Sequence, residues 1–225
     1  MTPKQLKDRF RIDMDDVPEH PDDTSGCLWF DEDILEYLNA SQQTFAFRTR
    51  CLFRSMEVYV VAGESVIPLP SRLIDLRMAQ ITIDGVTSPI GQQTLEANVG
   101  EVNDYNVFVP AANSQRMRIS LDHATGDLLM LPPPDADVQL TLHGFVEARV
   151  VPSFDEDRMD VRNDRHQRII LDGMKSLAYM KQDSETYNPR QAEVFEQRFY
   201  IGIEETYGEV IRLRREPRPI MYGGL

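Results

Sequence analysis

The spacing of hydrophobic positions along the chain changes period twice. Between residues 29 and 53, Ile34, Leu35, Leu38, Phe45 and Leu52 recur three and four apart, the stripe of a helix with one buried face. Asp31, Glu32 and Asp33 crowd its first turn, and Arg48, Arg50 and Arg54 its last, which suits the helix dipole at both ends. The spacing predicts about six helical turns. A shorter helix is predicted over residues 2–12, with Thr2 as cap, Pro3 at the first position, and Leu6 and Phe10 on one face. Residues 13–26, acidic and proline-containing, read as a loop.

From Ser55 the period falls to two. Met56, Val58 and Val60 alternate with Glu57 and Tyr59, as in a half-buried strand. A turn at Ala62-Gly63-Glu64 leads to Val66-Ile67-Pro68-Leu69-Pro70, whose prolines mark an edge or a strand end. Leu73–Ile83 reads as a strand, and Asp84-Gly85 before Val86 as a two-residue hairpin loop. Residues 87–114 carry the weakest pattern, with a turn or short helix expected at 92–97. Residues 116–121 and 127–131 read as strands joined by a turn. Pro132-Pro133-Pro134-Asp135 is a stiff connection, and Val138–Val146 alternates again.

After residue 162 the period returns to 3.6. Asp164 is the expected cap of a helix whose inner face holds Ile169, Ile170, Gly173, Leu177 and Met180. Asn188-Pro189 opens a second helix of roughly 27 residues carrying Phe195, Phe199, Ile203, Val210 and Leu213 inward, with Gly202 and Gly208 as bend points. Strands grouped between helices indicate an α+β protein. The reading is a small helical bundle from the N- and C-terminal helices with an inserted antiparallel β-sheet or sandwich layer. The expected boundaries are 1–54 and 151–215 for the two helical parts, 55–150 for the inserted β domain, and 216–225 for a C-terminal arm.

With 225 residues, 41% hydrophobic and 27% charged, the chain can bury a substantial core; disorder, a coiled-coil rod and a collagen-like fibre are excluded. Lys+Arg 24 against Asp+Glu 37 gives a net charge of −13. Such a chain disfavours gripping nucleic acid through a basic face, yet can surround DNA without holding it. No apolar run reaches the ~18 residues of a membrane span. The first residues, MTPKQLKDRFRIDMDD, lack the apolar core of a secretory signal, so synthesis in the cytoplasm is expected. Cys27 and Cys51 read as reduced, packed thiols.

Candidate chemistry is sparse. His20, His123, His143 and His166 show neither HxH nor HxxxH spacing and have no cysteine beside them, so no zinc site is expected. The acidic groups Asp13/Asp15/Asp16, Asp22/Asp23, Asp31/Glu32/Asp33 and Asp155/Glu156/Asp157 are the residue types of a metal-dependent hydrolase, but none fits a calcium loop. The dipole accounts for residues 31–33; the others read as solvated loop charge. GxSxG, GxxxxGK[ST] and GxGxxG are absent. The expectation is a protein that is not an enzyme, with no catalytic, cofactor-binding or metal residues and no cofactor. What stands out is the C-terminus: Arg212, Arg214 and Arg215 at a helix end, then Pro217 and Pro219, then Ile220, Met221, Tyr222 and Leu225. Prolines preset an extended form that lowers the entropy lost on docking, and Met and Tyr are favoured contact residues. These residues read as a partner-docking arm.

Four segments occur in a telling order: Leu28-Trp29-Phe30-Asp31-Glu32-Asp33-Ile34-Leu35-Glu36-Tyr37-Leu38-Asn39, Val66-Ile67-Pro68-Leu69-Pro70, Leu129-Met130-Leu131-Pro132-Pro133-Pro134-Asp135, and residues 178–189, AYMKQDSETYNP. Together they resemble the head-to-tail adaptor (connector) proteins of tailed bacteriophages, over residues 28–205. Phe30 stands where that family carries a helix-capping Ser or Thr. The resemblance implies a non-enzymatic virion neck protein, a ring of typically twelve copies beneath the portal that joins capsid to tail and passes the DNA genome during ejection. It implies the portal protein, tail nozzle or tube proteins and further copies of the chain as partners, DNA passing without sequence-specific binding, and no membrane. A tail or head-completion protein is the alternative within the virion.

Overall fold

The structure, a computed structural model, describes residues 1–18, 26–83, 85–93, 118–122, 125–182 and 186–214. Among them, helices α1 (Pro3–Asp13) and α2 (Asp31–Thr49) precede seven strands: β1 (Phe53–Val60), β2 (Val66–Pro68), β3 (Leu73–Ile83), β4 (Val86–Gln93), β5 (Arg118–Asp122), β6 (Asp127–Leu131) and β7 (Val138–Val146). Helices α3 (Asp164–Tyr179) and α4 (Pro189–Arg214) follow. The chain divides into two compact units, Met1–Leu52 with Ala148–Leu225, and Phe53–Glu147. The helices fall in the first and the strands in the second, the α+β class read from the two periods.

In the helical unit, local capping chemistry starts the elements. The Thr2 hydroxyl accepts the Gln5 N–H at 3.2 Å while the Gln5 side chain accepts the Thr2 N–H at 2.9 Å, so α1 opens with a capping box. Helix α2 buries Ile34, Leu38 and Phe45 as expected. It is shorter than its stripe predicted: it begins at Asp31 and ends at Thr49, where Arg50 turns left-handed (φ 49°). Leu52 prolongs the apolar spacing but lies outside the helix, and Arg54 belongs to β1, because residues from Phe53 onward pair with β7. Asn163, not Asp164, caps α3, its side chain accepting the Arg165 N–H at 2.9 Å. The buried face of α3 also differs from the expected one. Gln167, Ile170, Leu171, Met174 and Ala178 face inward, whereas Leu177 and Met180 are exposed, because α3 is buried against both α2 and α4 and their positions choose the face.

Asn188 caps α4, accepting the Gln191 N–H at 3.2 Å. Ala192, Phe199, Ile203 and Thr206 are buried along α4. Leu213, expected inward, is 81% exposed, since Arg165 at the start of α3 already reaches back only to Glu205 and Glu209. Gly173 and Gly202 are close-approach positions. A Cβ at Gly202 would lie 2.8 Å from Ile169, and one at Gly173 would lie 2.9 Å from the Ser41 hydroxyl.

The strand unit is one seven-stranded sheet in the order β1-β7-β3-β4-β5-β6-β2. All neighbours are antiparallel except β4 and β5. The hairpin before Val86 is present: Ile83 pairs with Val86, and Gly85 has the positive φ (+78°) that such a loop requires. Strand β4 changes partners along its length, pairing with β3 through Ile90 and with β5 from Gly91. A strand that switches partners makes a corner. Val60 of β1 and Ile67 of β2, from the two ends of the strand order, share one apolar core with Ile81, Ile119, Leu128, Met130, Leu140 and Leu142, so the sheet folds over on itself. Gln92 and Gln93 are strand residues, not the turn or short helix expected at 92–97; positions 94–97 lie outside the described residues.

Candidate functional site

The segments that carried the resemblance meet in space as two pairs, one in each unit. In the strand unit, Val66 and Ile67 pair with Leu129 and Leu128, Ser65 accepts the Met130 N–H at 2.8 Å, and the Pro134 carbonyl accepts the Gly63 N–H at 2.8 Å. The prolines of both segments thus sit at the margins of an edge pairing, where the lost N–H costs no ladder bond.

In the helical unit, the start of α2 packs on the end of α3. Trp29, 2% exposed, donates its indole N–H to the Ala178 carbonyl at 3.3 Å and meets Phe10 and Tyr179 edge-on, with ring centroids 5.9 and 6.3 Å away. Lys181 pairs with Asp33 at 2.7 Å and lies over the Phe30 ring. Phe30 offers no capping side chain; instead the Asp33 carboxylate reaches back to the Phe30 N–H at 3.3 Å. That is the reciprocal half of a capping box; the bond that a Ser or Thr side chain would accept from the first turn of the helix has no counterpart from Phe30.

Beneath Trp29 lies a buried ionic cluster. Arg11 donates to Asp16 at 2.8 Å, to Asp31 at 2.7 Å and to the Trp29 carbonyl at 3.1 Å, and Asp16 also accepts the Leu28 N–H at 2.7 Å. Burial would raise the Asp31 pKa, but hydrogen bonds from Lys7 and Arg11 outweigh it and hold the carboxyl below its ordinary value. Burial pushes the Cys27 thiol up, against the pull of Arg11. Asp13 and Asp16 are therefore not solvated loop charge: Asp13 closes α1 and pairs with Lys175 at 2.6 Å, and Asp16 is locked to Arg11. Such a buried pair specifies geometry more than it stabilises, since desolvation offsets most of the attraction.

Of the expected docking residues, Arg212 is exposed near the end of α4 and Arg214 is the last helical residue; Arg215, Pro217, Ile220, Met221, Tyr222 and Leu225 lie outside the described residues. Arg212 lines a shallow depression of about 400 Å³ with Arg165, Glu205, Gly208 and Glu209. There Arg165 bonds Glu209 at 2.6 Å and Glu205 at 3.2 Å, and this pairing lowers the Glu209 pKa.

Several of the remaining candidates have structural partners. His143 lies between Ser55 (2.7 Å) and Gln80 (3.2 Å) on three adjacent strands. His166 packs against Phe45, and burial pushes its imidazole below the ordinary pKa. Burial also raises the Tyr37 phenol to about 12. Glu156 pairs with Arg149 at 3.1 Å. His20, His123, Asp22 and Asp23 lie outside the described residues. Among the described residues, no group of three or more His, Cys, Asp or Glu could hold a metal ion, Cys27 and Cys51 are not joined by a disulfide, and no helix is long and apolar enough to cross a membrane.

The class that emerges is a structural adaptor of bacteriophages. A family model described as SU10 adaptor protein matches residues 1–221, and the chain belongs to that family of phage head-to-tail adaptors. No curated protein matches the chain. Family membership makes the protein a virion component that engages other phage structural proteins, such as portal and tail.

What the sequence missed is the surface around Trp29. Leu28, Phe30, Met180 and Tyr187 are exposed apolar residues at the meeting of the two helical segments. The available signal was a charge run: between Arg11 and Arg48 there are ten Asp and Glu and no Lys or Arg.

Proposed function

We propose that the protein is the neck adaptor of its phage, a ring of twelve copies beneath the portal that joins capsid to tail, passes the genome and performs no catalysis. The observation that carries this reading is the family match across residues 1–221. The net charge of −13 supports it physically, since an acidic lining lets DNA slide where a basic one would hold the phosphates. Arg212, Arg214, Arg215, Pro217, Ile220, Met221, Tyr222 and Leu225 form the docking arm. The strand unit, residues 53–147, and the helical unit are separate compact units, each a candidate surface for partners.

A cryo-EM map of the virion neck tests the reading. It predicts this fold in a closed ring between portal and tail tube; the same fold found at the tail tip or inside the capsid would overturn it in favour of another structural role. Deleting residues 217–225 should leave the helical melting transition unchanged and abolish attachment to portal-bearing heads.

A further inference from the structure

Trp29 to Ala178, Lys181 to Asp33, Leu28 to Asp16 and Asn188 to Tyr179 tie the end of α1, the start of α2, the end of α3 and the start of α4 into one end of the helical unit. Val17, Leu28, Phe30, Leu177, Met180 and Tyr187 gather there, each at least 38% exposed. Four of them, Leu28, Phe30, Met180 and Tyr187, sit in the segments that carry the resemblance. A cluster of exposed apolar side chains at one place marks an interaction surface. On the α1–α2 side of this patch the exposed charge is acidic: Asp15, Glu32 and Glu36 are exposed, within the stretch from Arg11 to Arg48 that holds ten acidic residues and no basic one, while on the α3–α4 side Lys181 is paired with Asp33 and Arg190 is exposed.

The complement of that surface is in the same sequence. Residues 212–225, RLRREPRPIMYGGL, hold four arginines and one glutamate, in a chain of net charge −13, together with Ile220, Met221, Tyr222 and Leu225. Basic residues followed by apolar anchors fit an apolar patch with one acidic side. Reach decides which copy supplies them. Helix α4 starts at the patch and runs 26 residues away from it, about 39 Å at 1.5 Å per residue. Tyr222 is eight residues beyond Arg214, at most about 29 Å of extended chain. An arm therefore falls short of its own patch by about 10 Å.

We infer that the C-terminal arm of one copy docks on this apolar end, at its acidic α1–α2 side, of the helical unit of a second copy. This rests on the reading of the protein as a ring-forming adaptor. Arm and patch at opposite ends of α4 make the contact head-to-tail, the type of interface that closes into a ring when its rotation allows. Pro217 and Pro219, two apart, both remove an N–H from the same edge of an extended arm, so only the opposite edge can pair with backbone. The apolar side chains then carry most of the docking.

The test uses the full chain with the photo-cross-linker benzoylphenylalanine at position 222, mixed at millimolar concentration with ¹⁵N-labelled chain of native sequence and irradiated. Mass spectrometry should find residue 222 of one isotopic form joined to residues 28–37 or 177–188 of the other. Glu32→Arg with Glu36→Arg in the labelled chain should cut that yield about tenfold, and Arg215→Glu with Arg218→Glu in the arm-bearing chain should restore it. Links confined to one chain, links to any other region, or no links between copies would each overturn the inference. So would a charge swap that fails to rescue. If virion necks contain the ring but residue 222 joins only portal protein, this inference fails and the adaptor reading stands. If copies link as described but the chain is absent from necks, the adaptor reading fails instead.

Discussion

The indole N–H of Trp29 donates to the carbonyl of Ala178 across 149 residues of chain, at 3.3 Å. One bond thereby joins a residue two positions before α2 to the last turn of α3, and the aromatic rings of Phe10 and Tyr179 close around it. Trp29→Ala should destabilise the helical unit by about 3–5 kcal/mol, the usual penalty for emptying an aromatic site. Trp29→Phe keeps most of the volume and loses the bond, a loss of about 1 kcal/mol. Urea titration followed by helical circular dichroism separates the two; equal losses would mean that the hydrogen bond, not the packing, dominates.

Arg11 holds Asp16 and Asp31 together under Trp29. Arg11→Met should destabilise by about 3–5 kcal/mol, because it leaves the Asp16 carboxylate buried without its counter-charge. The same cluster sets an acid limit. Asp31 binds its proton less readily folded than unfolded, so it contributes stability above its ordinary pKa of 3.8 and loses it as pH falls through the lower folded value. Asp31→Asn should flatten that part of the stability–pH curve below pH 4. An unchanged acid limb in Asp31→Asn would assign the sensitivity to other carboxylates.

Asp172 on α3 carries the opposite sign. Burial raises its pKa against the pull of Lys175 and Arg198, so its ionised form is disfavoured in the folded chain and opposes folding at neutral pH. Asp172→Asn should therefore raise the melting temperature at pH 7. The gain should vanish below the ordinary carboxylate pKa, where the native side chain is protonated in both states. A loss of stability at pH 7 would show that attraction to Lys175 and Arg198 outweighs burial.

Two glycines of α4 should respond oppositely to alanine. Gly208 has open space around the position of a Cβ, so Gly208→Ala should stabilise by about 0.5–1 kcal/mol through the unfolded chain's lost freedom. At Gly202 the new methyl would press on Ile169 at 2.8 Å, and overpacking of about 1–3 kcal/mol should exceed that gain. Paired thermal melts read the difference directly. Equal shifts would mean that α3 and α4 can separate without penalty.

Much of the fold was written locally. Thr2, Pro3, Asn188 and Pro189 announce helix starts, Asp84-Gly85 a hairpin, and the strand patterns give the spans of β3, β6 and β7, because caps, turns and period-two faces depend on residues within a few positions of each other. Only the tertiary structure decided where α2 stops, since the apolar stripe runs on to Leu52 while pairing of Phe53 with Phe145 claims the chain for the sheet. It alone turned Leu177 and Met180 outward, paired β4 in parallel with β5, and made Asp16 a buried partner of Arg11. In the first three cases the deciding neighbour comes from a distant part of the sequence; Asp16 is only five residues from Arg11, and the chain returning at Leu28 and Trp29 closes over the pair. Side-chain period states how strongly a residue favours burial, and only the packed neighbours determine which face is buried and what meets it.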